Sequence, residues 1–153
     1  MKLYTIGYEG TEIDRFVDAL TKARVKTLAD VRAVALSRKK GFSKSSLAGR
    51  LEREGIRYIH IQSLGTPKSG RNAAHAGRRD VFRDIYQRYL STEEARDGLG
   101  QVRAAANEAA LCLMCFERDP AICHRSMIVS ALRASRKVRH LYPALASERS
   151  RHR

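Results

Sequence analysis

Short apolar runs alternate along this chain with segments in which apolar residues recur every three or four positions. The runs at residues 3–6, 27–31, 57–61, 110–116 and 138–142 predict five strands. Strands that alternate with helices form parallel sheets covered on both faces. The pattern therefore predicts an α/β fold with three α/β/α layers around a mostly parallel sheet.

The predicted helices lie between these strands. The spacing of Ile13, Phe16, Val17 and Leu20 predicts a first helix with Thr11 as its N-cap. Apolar spacing predicts further helices after residue 43, over 81–89 and over 93–107, and the pair at 119–120 predicts the start of the last one. Residues 63–77 are rich in Gly, Pro, Ser and Asn and predict a long functional or mobile loop. We expect one domain over residues 1–145 and a basic, frayed tail over 146–153.

The carboxyl ends of the predicted strands define a candidate site. Open parallel sheets bind ligands at that edge, so we expect the residues that follow each strand to surround one cleft. They are Gly7, Tyr8, Glu9, Asp30, Arg32, His60, Cys115 and Glu117, joined by Cys123, His124 and Arg125 at the start of the last helix.

These residues lie in a series of ordered motifs that resembles the domain of unknown function 488 family nearly from end to end. The motifs are TIGYEG at 5–10, DVR at 30–32, SRKKGFSK at 37–44, GIRYIH at 55–60, LG at 64–65, CFERDP at 115–120 and CHR at 123–125. The resemblance supports the predicted fold and the site. It implies no particular reaction.

The residues themselves allow several kinds of chemistry. Cys123 and His124 lie near a helix N-terminus, where the helix dipole favours a thiolate, and they are candidates for nucleophilic attack or proton transfer. Asp30 and Glu117 are the candidate acid and base, or they orient cationic partners. The alternative is that Cys123 is a small buried apolar side chain and that His124 forms a hydrogen bond with a loop.

Arg32 and Arg125 are the candidate anion clamps of this site. We expect at least one of them to pair with Asp30 or Glu117, because a cation at the edge of a cleft needs a partner that holds its orientation.

Two further uses of the cysteines remain open. Cys115, Cys123 and His124, with Glu117 or His60 as a fourth ligand, are the residue types that zinc prefers. However, seven residues separate the two cysteines, which is unlike the short pairs of structural zinc sites, and the sequence predicts no metal. A thiol redox pair is disfavoured because there is no Cys-x-x-Cys motif.

Charge suggests the partner. Thirty Lys and Arg residues against sixteen Asp and Glu give a formal net charge of +14, and residues 32–50 contain no acidic residue. The candidate anion-binding surface is Arg38, Lys39, Lys40, Lys44 and Arg71. Phe42, Tyr58 and Tyr86 either stack on bases or belong to the core.

We therefore expect a nucleic acid or a phosphorylated small molecule as ligand. The alternative is a noncatalytic module for an acidic partner. No apolar run is long enough for a membrane span, and three clustered cysteines without a secretory signal predict a reduced, cytoplasmic protein. The sequence assigns neither a cofactor nor an oligomeric state.

Overall fold

A computed structural model describes residues 1–146 of the chain. Its five strands form one sheet in the order β3-β2-β4-β1-β5, and every neighbouring pair is parallel. The α/β fold and the parallel sheet predicted from the sequence are confirmed. The strands are β1 Leu3–Gly7, β2 Thr27–Asp30, β3 Arg57–His60, β4 Leu111–Cys115 and β5 Val138–Leu141.

Helices connect the strands and cover both faces of the sheet. Two short 3-10 helices, Gln62–Leu64 and Pro120–Ile122, lie at the same edge of the sheet, after β3 and β4. The α-helices are α1 Ile13–Lys22, α2 Lys44–Arg53, α3 Lys68–His75, α4 Arg79–Tyr89, α5 Glu93–Glu108 and α6 His124–Ala131.

The core has two halves, one on each face of the sheet. On one face, α1 and α2 bury Phe16 and Leu51 against residues such as Leu28 of β2. On the other face, α3 to α6 pack on the sheet and bury Tyr86 and Leu113. The two faces follow from strand geometry, since successive side chains of a strand point to opposite sides. Central strands β2 and β4 are buried throughout, which explains their continuous apolar character.

The segment predicted as a long loop is largely ordered secondary structure. Residues 63–77 contain the end of the first 3-10 helix and all of α3. Only Gly70 and Ala73 of α3 are buried. Because these two residues are so small, the helix shows no pattern of large apolar side chains, and its Gly, Ser and Asn residues are typical of a loop.

Two predicted helix starts are also corrected. Glu12, not Thr11, is the N-cap of α1, and the Thr11 hydroxyl donates to the Ala144 carbonyl at 2.8 Å instead. The Asp119–Pro120 pair starts the second 3-10 helix, where the Asp119 side chain accepts a hydrogen bond from the amide of Ala121. Helix α6 begins after it, with Cys123 as its N-cap.

None of the helices in the described part of the chain combines the length and the apolar character that a membrane span needs. The predicted basic tail begins at residue 146, and its residues from 147 onward lie outside the described range.

Candidate functional site

The sheet register places the candidate residues at one edge. Gly7 is paired with Cys115, and Asp30 is paired with His60 on one side and with Met114 on the other. All of them lie at the carboxyl ends of parallel strands, as the strand and helix order predicted.

A cavity of about 270 Å³ opens at this edge. The turns after β1, β2 and β4 supply one part of its wall, and the segment from Thr66 to Phe82 supplies the other. Its lining combines aromatic and aliphatic side chains with several polar groups. The lining residues are Tyr8, Arg32, Ala33, Val34, Thr66, Arg71, Ala74, His75, Phe82, Cys115, Phe116, Glu117, Ile122, Cys123 and His124.

Asp30 and Arg32 form a buried, two-pronged ion pair beside the cavity. Arg32 donates from Nε to one carboxylate oxygen at 2.9 Å and from Nη2 to the other at 2.8 Å, and its amide also donates to Asp30. Its Nη1 donates to the Tyr8 hydroxyl at 3.1 Å, and Tyr58 donates its hydroxyl to Asp30 at 2.5 Å. The predicted pairing of an acid with an arginine is confirmed, and it directs the guanidinium of Arg32 inward.

This network shifts two pKa values. Burial lowers the pKa of Arg32, but the hydrogen bonds and the charge of Asp30 outweigh burial, so the net pKa is raised. Burial and the hydrogen bond to Asp30 raise the pKa of Tyr58. Arg32 is therefore a permanent cation and Tyr58 a permanent hydrogen-bond donor at physiological pH.

Two histidines hold the turn that follows β2. His60 donates from Nε2 to the Arg32 carbonyl at 2.8 Å, and His124 donates from Nε2 to the Val31 carbonyl at 2.7 Å. A carbonyl only accepts, so these bonds place the proton on Nε2 in both rings. Burial lowers the pKa of His124 to about 4, which keeps the ring neutral with a free lone pair on Nδ1.

Sulfur atoms and a carboxyl group meet on the cavity wall. The sulfur atoms of Cys115 and Cys123 are paired as a disulfide, whereas the sequence predicted reduced thiols. They meet because β4 ends, and α6 begins, at the same edge of the sheet. The Cys115 sulfur is 3.4 Å from Oε2 of Glu117, and the Cys123 sulfur is 3.5 Å from Nδ1 of His124. Burial raises the pKa of Glu117.

Arg125 lies beneath this wall, with 1% of its surface exposed. Its Nη2 donates to the carbonyls of Glu117 at 2.5 Å and Arg118 at 3.4 Å, while its Nε is buried without a hydrogen-bond partner. Burial lowers its pKa. Arg125 does not line the cavity, and its contacts with the two carbonyls fix the turn that carries Glu117.

That same turn packs tightly against β1. A Cβ at Gly7 would lie 1.8 Å from the Glu117 carbonyl oxygen, so only glycine fits there. The Glu9 amide donates to the Phe116 carbonyl at 2.8 Å, and the Glu9 carboxylate accepts from the Arg118 amide at 3.0 Å. Gly7 and Glu9 thus position the turn from outside the cavity.

The sequence-predicted residues divide into three groups. Tyr8, Arg32, Arg71, Cys115, Glu117, Cys123 and His124 line the cavity. Gly7, Glu9, Asp30, His60 and Arg125 lie behind its wall and hold it in place. Arg38, Lys39, Lys40 and Lys44 lie on or next to the long turn after β2, at the same edge of the sheet.

Several lining residues were missed. Thr66, Ala74, His75 and Phe82 come from the segment that was predicted as a loop and from the start of α4. Phe116 follows β4 and is 45% exposed. The sequence pattern alone does not show that this ring lines the cavity. Phe42 and Tyr86, considered as base-stacking residues, are wholly buried and belong to the core.

Comparison with known proteins gives one match. The family described as domain of unknown function DUF488 matches residues 12–132, most of the chain. No curated protein and no solved structure matches this chain.

Proposed function

We propose that this chain, which belongs to the DUF488 family, binds nucleic acid at the carboxyl edge of its sheet. One observation supports the proposal above others: an aromatic-walled cavity opens at the edge that also carries an exposed, acid-free cationic turn. The phosphates contact the cations, and one unstacked base enters the cavity.

The cavity suits a small planar group. Its 270 Å³ is near the lower end of the range of about 300 to 1,000 Å³ for small-molecule sites, so it holds one unit of a polymer rather than a long segment. Tyr8 and Phe116 meet edge to face with ring centroids 5.3 Å apart. Phe116 is the more exposed ring, and it offers a face on which a base stacks.

Cations lie on the cavity wall and on the turn that follows β2 at the same edge of the sheet. Arg71 lines the cavity and donates to the Thr66 carbonyl at 2.8 Å. The turn after β2 adds Arg38 and Lys40, which are exposed, and Lys44 follows at the first position of α2. Such side chains bind phosphates by displacing condensed counterions, which makes affinity fall with salt.

A second cavity of about 690 Å³ lies beside the same turn. Its lining residues include the cations Lys39, Lys40, Arg50 and Arg53 and the acidic residues Glu12 and Asp14. Arg50 pairs with Asp14 at 2.7 Å and so is partly neutralised. The remaining cations of this cavity would add phosphate contacts on the side of the turn next to α1 and α2.

Fluorescence anisotropy with a labelled single-stranded oligonucleotide, repeated from about 50 to 200 mM salt, tests the proposal. Replacement of Arg38, Lys40 and Lys44 by Ala should reduce the slope of log affinity against log salt by up to about 2, since each phosphate contact contributes about 0.7 on single strands. Lys39 is left intact because its Nζ donates to the Thr11 carbonyl and ties the turn to the segment that precedes α1.

The matched control replaces Lys2, Lys26 and Arg57 by Ala. These three exposed cations lie at the amino ends of β1, β2 and β3, on the opposite edge, and their removal lowers the net charge by the same three units. The control should keep the slope of the wild type. Equal losses in both triple variants, or no binding at micromolar protein, would refute a specific nucleic-acid surface.

Phe116→Ala tests the entry of a base into the cavity. Loss of a stacking ring should weaken binding by about 5- to 150-fold, corresponding to about 1 to 3 kcal/mol, while the salt slope is unchanged. If Phe116→Ala binds the oligonucleotide like the wild type, no base stacks on this ring, and recognition involves the phosphates alone.

A further inference from the structure

Three side chains of the types that bind metal ions converge on the wall of the first cavity. One donor atom each from Cys115, Cys123 and His124 lies within 4.8 Å of the other two, and all three residues are buried. Two thiolates and one imidazole are among the donor sets that zinc prefers. Among the described residues, this is the one cluster of this kind that the structure forms.

The orientation of His124 is that of a metal ligand. Its Nε2 donates to the Val31 carbonyl at 2.7 Å, which fixes the ring and leaves the Nδ1 lone pair directed at the Cys123 sulfur, 3.5 Å away. Metal-binding histidines almost always donate their other ring nitrogen to a carbonyl or a carboxylate in this way. A carbonyl partner on Nε2 and a sulfur atom near Nδ1 are the surroundings expected of a metal ligand.

The backbone separation of the cysteines also suits a bridging ion. Their Cα atoms are 7.6 Å apart, whereas ordinary disulfides span about 4.4 to 6.8 Å. Two sulfur ligands at about 2.3 Å from a tetrahedral zinc ion lie roughly 3.8 Å from each other. The backbone therefore leaves room for an ion between the two sulfur atoms.

We propose that the reduced protein binds one Zn²⁺ through Cys115, Cys123 and Nδ1 of His124. Both thiols lose their protons to solvent when the ion binds, and the two thiolates balance its charge. The Arg125 amide, 3.5 Å from the Cys123 sulfur, donates to that thiolate. The three ligands line the first cavity together with Glu117, so a tetrahedral ion would keep a fourth position for water or for a ligand.

Sequence spacing disfavoured this site because seven residues separate the cysteines. The fold removes that objection. Cys115 ends β4, and the second 3-10 helix turns the chain so that the N-cap of α6 returns to the same edge. The ligands are brought together by this turn and not by a short Cys-x-x-Cys loop.

The test uses the full chain without an affinity tag, reduced, treated with a chelator and then titrated with Co²⁺ and Zn²⁺. We expect one equivalent of Co²⁺ to give the ligand-field bands of a tetrahedral ion and a sulfur-to-metal charge-transfer band, and Zn²⁺ to displace it. Cys115→Ser, Cys123→Ser and His124→Asn should each weaken Zn²⁺ binding by at least the roughly 10- to 100-fold typical of outer-shell losses. Cys112→Ala, wholly buried on the other face of the sheet, should bind like the wild type.

A second measurement uses the wild-type protein, so it does not depend on whether the variants fold. Alkylation of the native, reduced protein followed by mass spectrometry should show that Zn²⁺ protects Cys115 and Cys123 from the reagent. No binding of either ion at micromolar concentration, or protection that is equal with and without Zn²⁺, would overturn the proposal. Binding that survives in all three ligand variants would overturn it as well, because the ion would then lie elsewhere.

Discussion

Gly7→Ala should displace the turn that carries Glu117. The added Cβ would lie 1.8 Å from the Glu117 carbonyl oxygen and 2.5 Å from its carbonyl carbon. An ordinary contact is about 3.4 Å or more, so the turn has to move by about 1.6 Å. Both neighbours are backbone atoms, and no side-chain rotation relieves the overlap.

The cost follows from what the movement breaks. Overpacking of this kind costs about 1 to 3 kcal/mol. Two hydrogen bonds hold the turn to Glu9, and each contributes about 0.5 to 1.5 kcal/mol. We expect the free energy of unfolding to fall by about 2 to 6 kcal/mol, which lowers the melting temperature by at least about 4 °C in a domain of this size.

Urea denaturation and thermal melting measure this effect, with Gly100→Ala as the control. Gly100 lies in α5, and a Cβ there meets no atom within 4 Å. Alanine in a helix interior is more favourable than glycine by about 1 kcal/mol, so the control should be as stable as the wild type or slightly more stable. If Gly7→Ala unfolds at the same urea concentration as the control, the turn is not packed against β1 as described.

Two further substitutions test buried contacts behind the cavity wall by the same unfolding measurements. Asp30→Asn removes the charge that pairs with Arg32 in a buried site and should lower the free energy of unfolding by about 3 to 5 kcal/mol. The control Asp18→Asn, in an exposed ion pair, should lower it by less than about 1 kcal/mol. Similar losses in the two variants would contradict the buried pairing. Tyr86→Phe removes the hydroxyl that donates to the Leu64 carbonyl at 2.6 Å and should cost about 1 to 3 kcal/mol, and an unchanged stability would show that the bond contributes nothing.

The strand ends were predictable because the sheet is parallel. Once the apolar runs are assigned to parallel strands, their carboxyl ends meet at one edge, and the residues after them become neighbours. The pairing of Gly7 with Cys115, and of Asp30 with His60, follows from that rule without any knowledge of side-chain contacts. The DVR motif also places Asp30 and Arg32 two residues apart, within reach of the observed ion pair.

Helix α3 was not predictable from apolar periodicity. Its buried positions are Gly70 and Ala73, and Gly70 packs so closely that a Cβ would lie 2.7 Å from a methyl group of Thr66. Close packing of small residues leaves no pattern of large apolar side chains in the sequence. Most of the residues that this segment contributes to the cavity wall, including His75, were therefore missed.

Roles of individual residues depend on distant partners that spacing does not reveal. Arg32 is directed inward partly by the Tyr8 hydroxyl, 24 residues away in sequence. Arg125 is buried against the carbonyls of Glu117 and Arg118. Both were candidates for anion clamps, and these internal contacts shift our proposal for phosphate binding to the exposed cations of the turn after β2.

The proposed phosphate surface and the proposed metal site can therefore be tested independently of each other. The exposed cations Arg38, Lys40 and Lys44 have no contact with the sulfur and imidazole groups among the hydrogen bonds and ion pairs of the described residues. Cys123→Ser should therefore weaken Zn²⁺ binding by at least about 10-fold while the salt dependence of oligonucleotide binding is kept. The triple cation variant should do the reverse, because solvated charges on a turn add little to stability and leave the buried ligands in place. If Cys123→Ser flattened the salt slope, the metal site and the phosphate surface would form one structural unit, and the separate assignments would have to be replaced by a single site.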